Sequence, residues 1–560
     1  MRMNATAKTI GQQIAMFAAV FAAFTLLTAA LLWPWMGHLS TELIGPVEDN
    51  LQDFWNSWYA AVASDPHHFF YTKLIRYPEG IALNYHSFAY PQIGLFVALT
   101  KLFGTDRNTL ILLQNLTLLL SFPLAGTGAF YLARHFTKFI PAAFAGGFVF
   151  AFNPWHVGQA MHHMHVSWIG FIPFFVLAYL LALERRSVFW LCVAIVFNAL
   201  TALSCWYFLF YDAYFIIFQT IYLRVRDDEF PKGWRLVAPL ACLAGTALLL
   251  SPLLLPMLRL SGHSGVYNSG ANFFVADPVA YFAFPPTHLL ASWTAHLYNQ
   301  LSGNLWEATV YFGLVNVALL VWLRVRTWRE KDSLLVYVFA GIITFCVFAS
   351  GETLHVFGHD LTWFHLPDIV LSKLPFVANV RTPSRAIVMA YLFLGIGVAH
   401  ALTRLWEDRE GRARVWILAV IIVLMIVDFY PIELRMTDIA CRSDLDIIAQ
   451  DKARDFGVLS LPSGYTESNV YMLQQTCHGR AMVQGNVSRV LSKSLIDRLD
   501  TKNLAMQRTQ LINAHVKYIV LEHQRHWLFM WPKKDAPQAD YAKFYTLAEQ
   551  TPDLTIFRVY

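Results

Sequence analysis

"AYPQIGLFVALTKLF", residues 89–103, is apolar but only fifteen residues long. A helix needs ~20 apolar residues to cross the hydrocarbon core of a bilayer, so this stretch reads as a re-entrant or interfacial helix rather than a span. That reading sets the topology of everything around it. With 89–103 not crossing, the basic residues of the short loops all fall on one side: Arg2 and Lys8, Arg134 and Lys138, Arg185 and Arg186, and the stretches "RVRDDEFPKGWR", "RVRTWREK" and "RLWEDREGRAR". The side rich in Lys and Arg is the cytoplasmic one. If 89–103 crossed, Arg134 and Lys138 would move to the opposite side and the pattern would break.

Outward from this segment, apolar runs occupy 14–36, 108–132, 139–154, 166–184, 187–204, 206–224, 236–257, 306–325, 333–350, 384–405 and 414–432, about eleven spans in all. Composition agrees. Of 560 residues, 56% are hydrophobic and 14% are charged, where a soluble domain carries about a quarter charged residues. Mean hydropathy is +0.44. Aromatic residues make up 15%, many at the ends of apolar runs, as in an interfacial belt. The formal charge of +5 lies mostly in short loops and reports topology rather than nucleic-acid binding. The first run is longer than the ~7–15 residues of a signal-peptide core and no small-residue cleavage site closes it, so it reads as a retained helix. The expected fold class is a multi-spanning α-helical membrane protein, with its N-terminus cytoplasmic.

The other side of the membrane then collects the loops 37–107, 155–165, 258–305 and 351–383, and the tail 433–560. The tail is polar and carries short β-like runs, "GVLSLP", "VKYIVLE" and "LTIFRVY", between helix-like stretches. It reads as a small extracytoplasmic α/β domain following a transmembrane domain over 1–432. Four cysteines lie in apolar runs; Cys441 and Cys477 lie in the tail and would be free to pair in an oxidising compartment.

Chemistry-bearing residues gather on that same side. "GPVEDNLQDFWNSWYAA" (45–61) places Glu48, Asp49 and Asp53 just past the first span. Asp49 and Asp53 are four apart and share a helix face; the plain alternative is a pair of acids at a helix start, complementing its dipole. "NPWHVGQAMHHMHVSWIGFIPFF" (153–175) holds His156, His162, His163 and His165. Imidazoles accept protons, bind metals or donate to phosphate, and His162 and His165 are spaced to share a helix face, but no familiar zinc spacing occurs. Arg381 and Arg385 stand at the entrance of the tenth run, where a guanidinium fork either grips phosphate oxygens or reaches lipid headgroups. Asp212 falls inside a span and should face the bundle interior. There is no P-loop, dinucleotide fingerprint or nucleophile elbow, and the cytoplasmic loops are too short for a nucleotide domain.

Over its whole length the chain resembles the GT-C superfamily of membrane glycosyltransferases, in particular a large group of bacterial multi-spanning members that use polyprenyl-phosphate sugars. "EDNLQDFWNSW", "RYPEGIALNYHSF" and "PQIGLFVAL" follow in the order of that group's first outer loop, with Asp49 on its acidic position, Trp55 on its tryptophan and His86 on its histidine. His163 matches the histidine of the group's second outer loop. "ADPVAYFAFPP" (276–286), "NVRTPSRA" (379–386) and "LQQTCHGRAMVQGNVSR" (473–489) extend the match. Two departures stand out. "ED" replaces the usual "GD", so Glu48 competes with Asp49, and histidines replace the second-loop acid of the superfamily's oligosaccharyltransferases, which leaves a divalent metal without clear support.

The resemblance implies an inverting transfer of sugar from a polyprenyl-phosphate carrier to a glycan, lipid or protein of the cell envelope, at the outer face of the cytoplasmic membrane. It implies a catalytic carboxylate at Asp49, with Glu48 and Asp53 beside it. It implies donor or substrate binding by His86, His163, His165, Arg381 and Arg385. The alternatives are a transporter or flippase of lipid-linked saccharide, and a non-catalytic glycan-assembly protein.

Overall fold

The computed structural model describes residues 2–227, 232–260, 272–373, 380–500, 502–523 and 538–560. Parts of the basic stretch 224–235, of the loops 258–305 and 351–383 and of the tail lie outside the described residues, as does Asn379 of "NVRTPSRA". Each apolar run contains helix, although 306–325 is helical only from Leu314 onward. Among the described residues, six helical stretches are long and apolar enough to cross a membrane: Gly11–Leu31, Arg107–Phe136, Met164–Arg185, Trp206–Asp227, Trp234–Leu260 and Pro383–Glu407. Val188–Ser204 and Ser333–Ala349 are apolar but shorter. The segment at 89–103 forms the helix Tyr90–Phe103, well below spanning length.

The bundle is organised around Ile387–Glu407, which is apolar on all faces and buried along nearly its whole length, as a central helix must be. Its closest approach is to Ile140–Ala151. A Cβ on Gly146 would sit 2.6 Å from the Gly395 carbonyl, and the converse holds for Gly395. Without a hydrophobic drive between helices in lipid, small residues permit the tight packing that replaces it. Trp234–Leu260, by contrast, is peripheral: Leu240, Leu248 and Leu249 are exposed, as on a lipid-facing surface. Asp212 is fully buried, as its place in a span requires, and among the described residues neither of its oxygens has a hydrogen-bond partner.

The tail forms a five-stranded sheet in the order Thr546–Gln550, Leu554–Arg558, Val516–Glu522, Gly457–Leu461, Ala481–Met482. Gly457–Leu461 pairs in parallel with both of its neighbours, Leu459 facing Ile519, whereas the two C-terminal strands are antiparallel. All three β-like runs of the sequence are strands. Ala481–Met482 and Thr546–Gln550, too short or too polar to stand out, complete the sheet.

Two devices bind tail to bundle. Glu42–Ile44 pairs antiparallel with Met436–Asp438, tying the end of the first helix to the start of the tail. The helix Asp49–Trp58 buries Leu51, Phe54, Trp55 and Trp58, an i, i+3, i+4, i+7 stripe, and packs on Tyr465–His478. Trp55 Nε1 donates to Gln475 Oε1 at 2.8 Å, and Gln52 Nε2 to the Asn486 carbonyl at 2.9 Å. The bond Cys441–Cys477 fastens the far end of Tyr465–His478 to the linker behind it.

Candidate functional site

Where the tail meets the bundle lies a cavity of about 400 Å³, within the range of small-molecule sites. Its two ends differ. One wall is apolar: Trp206, Leu209 and Phe210 from Trp206–Asp227, and Leu254, Met257 and Leu258 from Trp234–Leu260. The other wall is polar and charged: Asp49, His86, His163, His165, Arg381 and Arg385, with Tyr465, Ser488 and Arg489 from the tail.

Asp49 opens its helix, where an acid complements the dipole. Its Oδ1 accepts from the Tyr465 hydroxyl at 3.0 Å and from Asn469 Nδ2 at 3.2 Å. Its Oδ2 faces His163 Nε2 at 3.7 Å. Burial raises the Asp49 carboxyl above its ordinary 3.8, more than these donors lower it.

The other two acids of the first loop go elsewhere. Glu48 Oε2 accepts from His162 Nδ1 at 2.7 Å, and the His162 ring stacks on Trp306 with centroids 3.7 Å apart. Asp53 accepts from the His165 backbone N–H at 3.4 Å and from its Nδ1 at 3.2 Å. Neither Glu48 nor Asp53 lines the cavity. The shared helix face expected of His162 and His165 does not form. The helix Pro154–His162 stops at His163, which has φ −140°, and a 3₁₀ turn begins at Met164. The break sends His162 to Glu48 and turns His163 and His165 toward the cavity.

His86 is buried. Its Nε2 pairs with Asn56 Oδ1 at 2.7 Å, and its Nδ1 accepts from the Ser488 backbone N–H at 3.3 Å. One nitrogen donates and the other accepts, as in a neutral ring. Burial pushes it down from 6.5 to about 3. Burial also pushes His478 to about 3 and His156 to about 4. The unfolded chain takes up protons at these sites below pH 6.5 and the folded one does not. Stability is therefore whole above pH 6.5 and falls, by about 1.4 kcal/mol per histidine per pH unit, as pH drops toward 3–4. The expected result is a melting temperature in detergent that declines from pH 6.5 to 5, and declines less steeply in His86→Gln.

The two arginines differ in their surroundings. Arg385 gives Nε and Nη2 to Glu307 Oε1 at 2.9 and 2.5 Å and stacks over the Tyr207 ring at 5.0 Å. Its charge is compensated inside the protein. Arg381 bonds to no carboxylate among the described residues, and its charge is presented to the cavity. Beside it, Arg489 of the tail is lowered by burial and by the Arg381 guanidinium. Among the described residues no three histidine, cysteine or carboxylate side chains converge as a metal site requires. The imidazoles nearest Asp49 are engaged by Gln159 and Asp53 instead.

Sequence reasoning missed Glu307, Gln159, Tyr465, Asn469, Ser488 and Arg489. Glu307 alone left a local trace, as a single acid in the otherwise uncharged stretch "LWEATVYFG".

A family model described as a domain of unknown function, DUF6311, matches residues 95–430. No curated protein matches the chain. Solved structures share its fold, among them the following three. The apo oligosaccharyltransferase of Archaeoglobus fulgidus matches with a TM-score of 0.54 and 12% identity, covering 90% of this chain and 69% of that one. Oligosaccharyltransferase AglB from the same organism, in complex with an inhibitory peptide and a dolichol-phosphate, gives 0.50 and 12%, covering 91% and 70%. A mutant of the arabinofuranosyltransferase AftD from Mycobacteria gives 0.60 and 13%, covering 97% of this chain. This chain spans only 41% of AftD. These neighbours are glycosyltransferases of the GT-C fold, and at such identities the likeness is one of fold.

Proposed function

The chain belongs to the family DUF6311, whose function is unknown, and we propose that it is an inverting glycosyltransferase that moves a sugar from a polyprenyl-phosphate carrier to an acceptor of the cell envelope. One observation carries this reading: one cavity joins an acid, and an arginine that no carboxylate of the described residues pairs, to an apolar wall built from two membrane helices. A polyprenyl phosphosugar has that same division, a tail that must stay in lipid and a headgroup that must reach water. The dolichol-phosphate bound to AglB is a ligand of this chemistry on the same fold.

The carrier's tail lies along Trp206, Phe210, Leu254 and Leu258. Its phosphate faces Arg381, with Arg489 and Ser488 alongside. As the bond to the sugar breaks, negative charge grows on the phosphate, and a guanidinium already in place stabilises it without reorganising. Asp49 takes the proton of the attacking acceptor hydroxyl. Burial raises its proton affinity toward the working pH, as a general base requires. An inverting displacement needs one base on the attacking side and no covalent glycosyl-enzyme. Arg385, bound to Glu307, and His86, bound to Asn56, shape the walls.

The domain division at 432/433, the eleven spans and the outward placement of the site belong to the same proposal. The Cys441–Cys477 bond supports it, since disulfides persist in oxidising compartments. The test is native mass spectrometry of the full chain purified from its own membranes. Copurified polyprenyl phosphate or its glycosylated form is the expected result; protein that carries only bulk phospholipid, and takes up no added polyprenyl phosphate, contradicts the reading.

A further inference from the structure

A chain of hydrogen bonds runs from Arg385 through the protein interior to His163, which faces Asp49, and one carboxylate fixes its polarity. Glu307 is 2% exposed, and its Oε1 is gripped by the Arg385 guanidinium. A carboxylate so held is an acceptor only. Gln159, whose amide lies 3.3 Å from Glu307 Oε2, must therefore present Nε2 to it; the flipped amide would set oxygen against oxygen. That leaves Gln159 Oε1 against His163 Nδ1 at 2.9 Å. An amide oxygen only accepts, so Nδ1 carries a proton; burial, with the Arg385 guanidinium nearby, holds His163 well below 6.5, so the ring is neutral and the lone pair is on Nε2. Nε2 faces Asp49 Oδ2 at 3.7 Å, and Asp49 Oδ1 is already occupied by Tyr465 and Asn469. Two acceptors thus confront each other at the cavity wall with no proton between them.

We propose that Glu307 is a positioning residue which, through Gln159, holds His163 as the Nδ1–H tautomer, so that Asp49 Oδ2 and His163 Nε2 form a paired acceptor for the hydroxyl that attacks the sugar. This rests on the glycosyltransferase reading of Asp49. In the step itself the acceptor oxygen bonds to the anomeric carbon, its O–H bond breaks, and the proton passes to Asp49 Oδ2. The bond from the anomeric carbon to the carrier phosphate breaks, and its electron pair leaves with the phosphate. His163 Nε2 accepts a hydrogen bond from the newly protonated carboxyl, whose proton is then lost to solvent. In the other tautomer, an Nε2–H would donate to Oδ2 and compete with the hydroxyl for the lone pair the base must use.

The test is solid-state NMR of the full chain in lipid, labelled with ¹⁵N-histidine, with a His163→Asn sample to identify the ring signals. Wild type is expected to show a protonated Nδ1 and a bare Nε2 at His163. Gln159→Met keeps the Arg385–Glu307 pair and removes the amide, and an Nε2–H signal is expected to appear. Glu307→Gln is expected to move most of the population to Nε2–H, because the introduced amide can donate to Gln159 Oε1 and reverse the chain. If Glu307→Gln does not fold, Gln159→Met carries the test alone. A wild-type Nε2–H ring, or an unchanged Nδ1–H ring in Gln159→Met, overturns the proposal. No sugar substrate is needed. A failed tautomer test therefore leaves the glycosyltransferase reading standing, whereas unchanged envelope glycans and carrier lipids in a strain lacking the chain end that reading, and full transfer by an Asp49→Asn protein removes Asp49 as the base, neither touching the tautomer.

Discussion

Asp49→Asn is expected to lower sugar transfer by about 10²–10⁴-fold, the usual contribution of a positioned general base, while the protein inserts and folds as before. The substitution is nearly isosteric. Its side-chain oxygen can still accept from Tyr465 and Asn469, which hold Oδ1 at 3.0 and 3.2 Å in the wild type. What disappears is Oδ2, the carboxylate oxygen that faces the cavity and His163. Glu48 cannot stand in, because its carboxylate is bound to His162 and lies outside the cavity wall. Glu48→Gln should therefore keep most of the activity. Because burial raises the Asp49 carboxyl above 3.8, the acid limb of the wild-type rate profile is expected above that value: the base is competent at higher pH and is lost as protons fill it. Transfer is read in cells from the abundance of the finished glycan, against membrane levels of the variant. Wild-type glycan in the Asp49→Asn strain would remove Asp49 from the mechanism.

Arg381→Ala carries the second large effect. Arg381 is the guanidinium whose charge the described residues leave uncompensated beside the cavity, whereas Arg385 is neutralised by Glu307. Removing a preorganised donor from a developing negative charge costs about 10²–10³-fold in turnover, and the copurified carrier lipid should fall with it. Arg381→Lys restores charge but not the two-pronged geometry that suits phosphate oxygens, so partial recovery is expected. Arg385→Ala should behave differently. It leaves the buried carboxylate of Glu307 without its partner, a change that destabilises by about 3–5 kcal/mol, and its loss of activity should follow loss of folded protein. Comparing carrier occupancy per folded molecule in the two variants separates a ligand contact from a structural one.

The features legible in the sequence are those written locally. Spanning helices need about 20 consecutive apolar residues; each of the eleven runs read from the chain contains helix, and among the described residues six helical stretches reach spanning length. The strands around Leu459, Ile519 and Ile556 showed as short β-like runs. Local spacing failed where the chain bends. Asp49 and Asp53 do lie on one helix, yet one meets the cavity and the other a histidine. His162 and His165 are spaced for one helix face, but the helix ends between them. Apart from Glu307, non-local partners left no trace. Tyr465 reaches Asp49 across 416 positions of sequence, and Ser488 and Arg489 enter the cavity only because the sheet and its first helix dock on Asp49–Trp58. The segment 473–489 stood out by resemblance, with nothing in its composition to say that its last two residues line a cavity. Glu307 was a lone acid among apolar neighbours, and its role depends on Arg385 and Gln159, which sequence spacing does not bring together.

The claim under all of this is that the chain consumes a polyprenyl-phosphate sugar. The most direct measurement is mass spectrometry of envelope glycans and carrier lipids in a strain lacking this chain, with wild type or Asp49→Asn restored in parallel. The account predicts that one sugar is missing from the glycan, that a polyprenyl phosphate bearing that sugar accumulates, and that wild type but not Asp49→Asn reverses both. Unchanged glycans and carrier lipids in the deletion strain, or full reversal by Asp49→Asn, would contradict it.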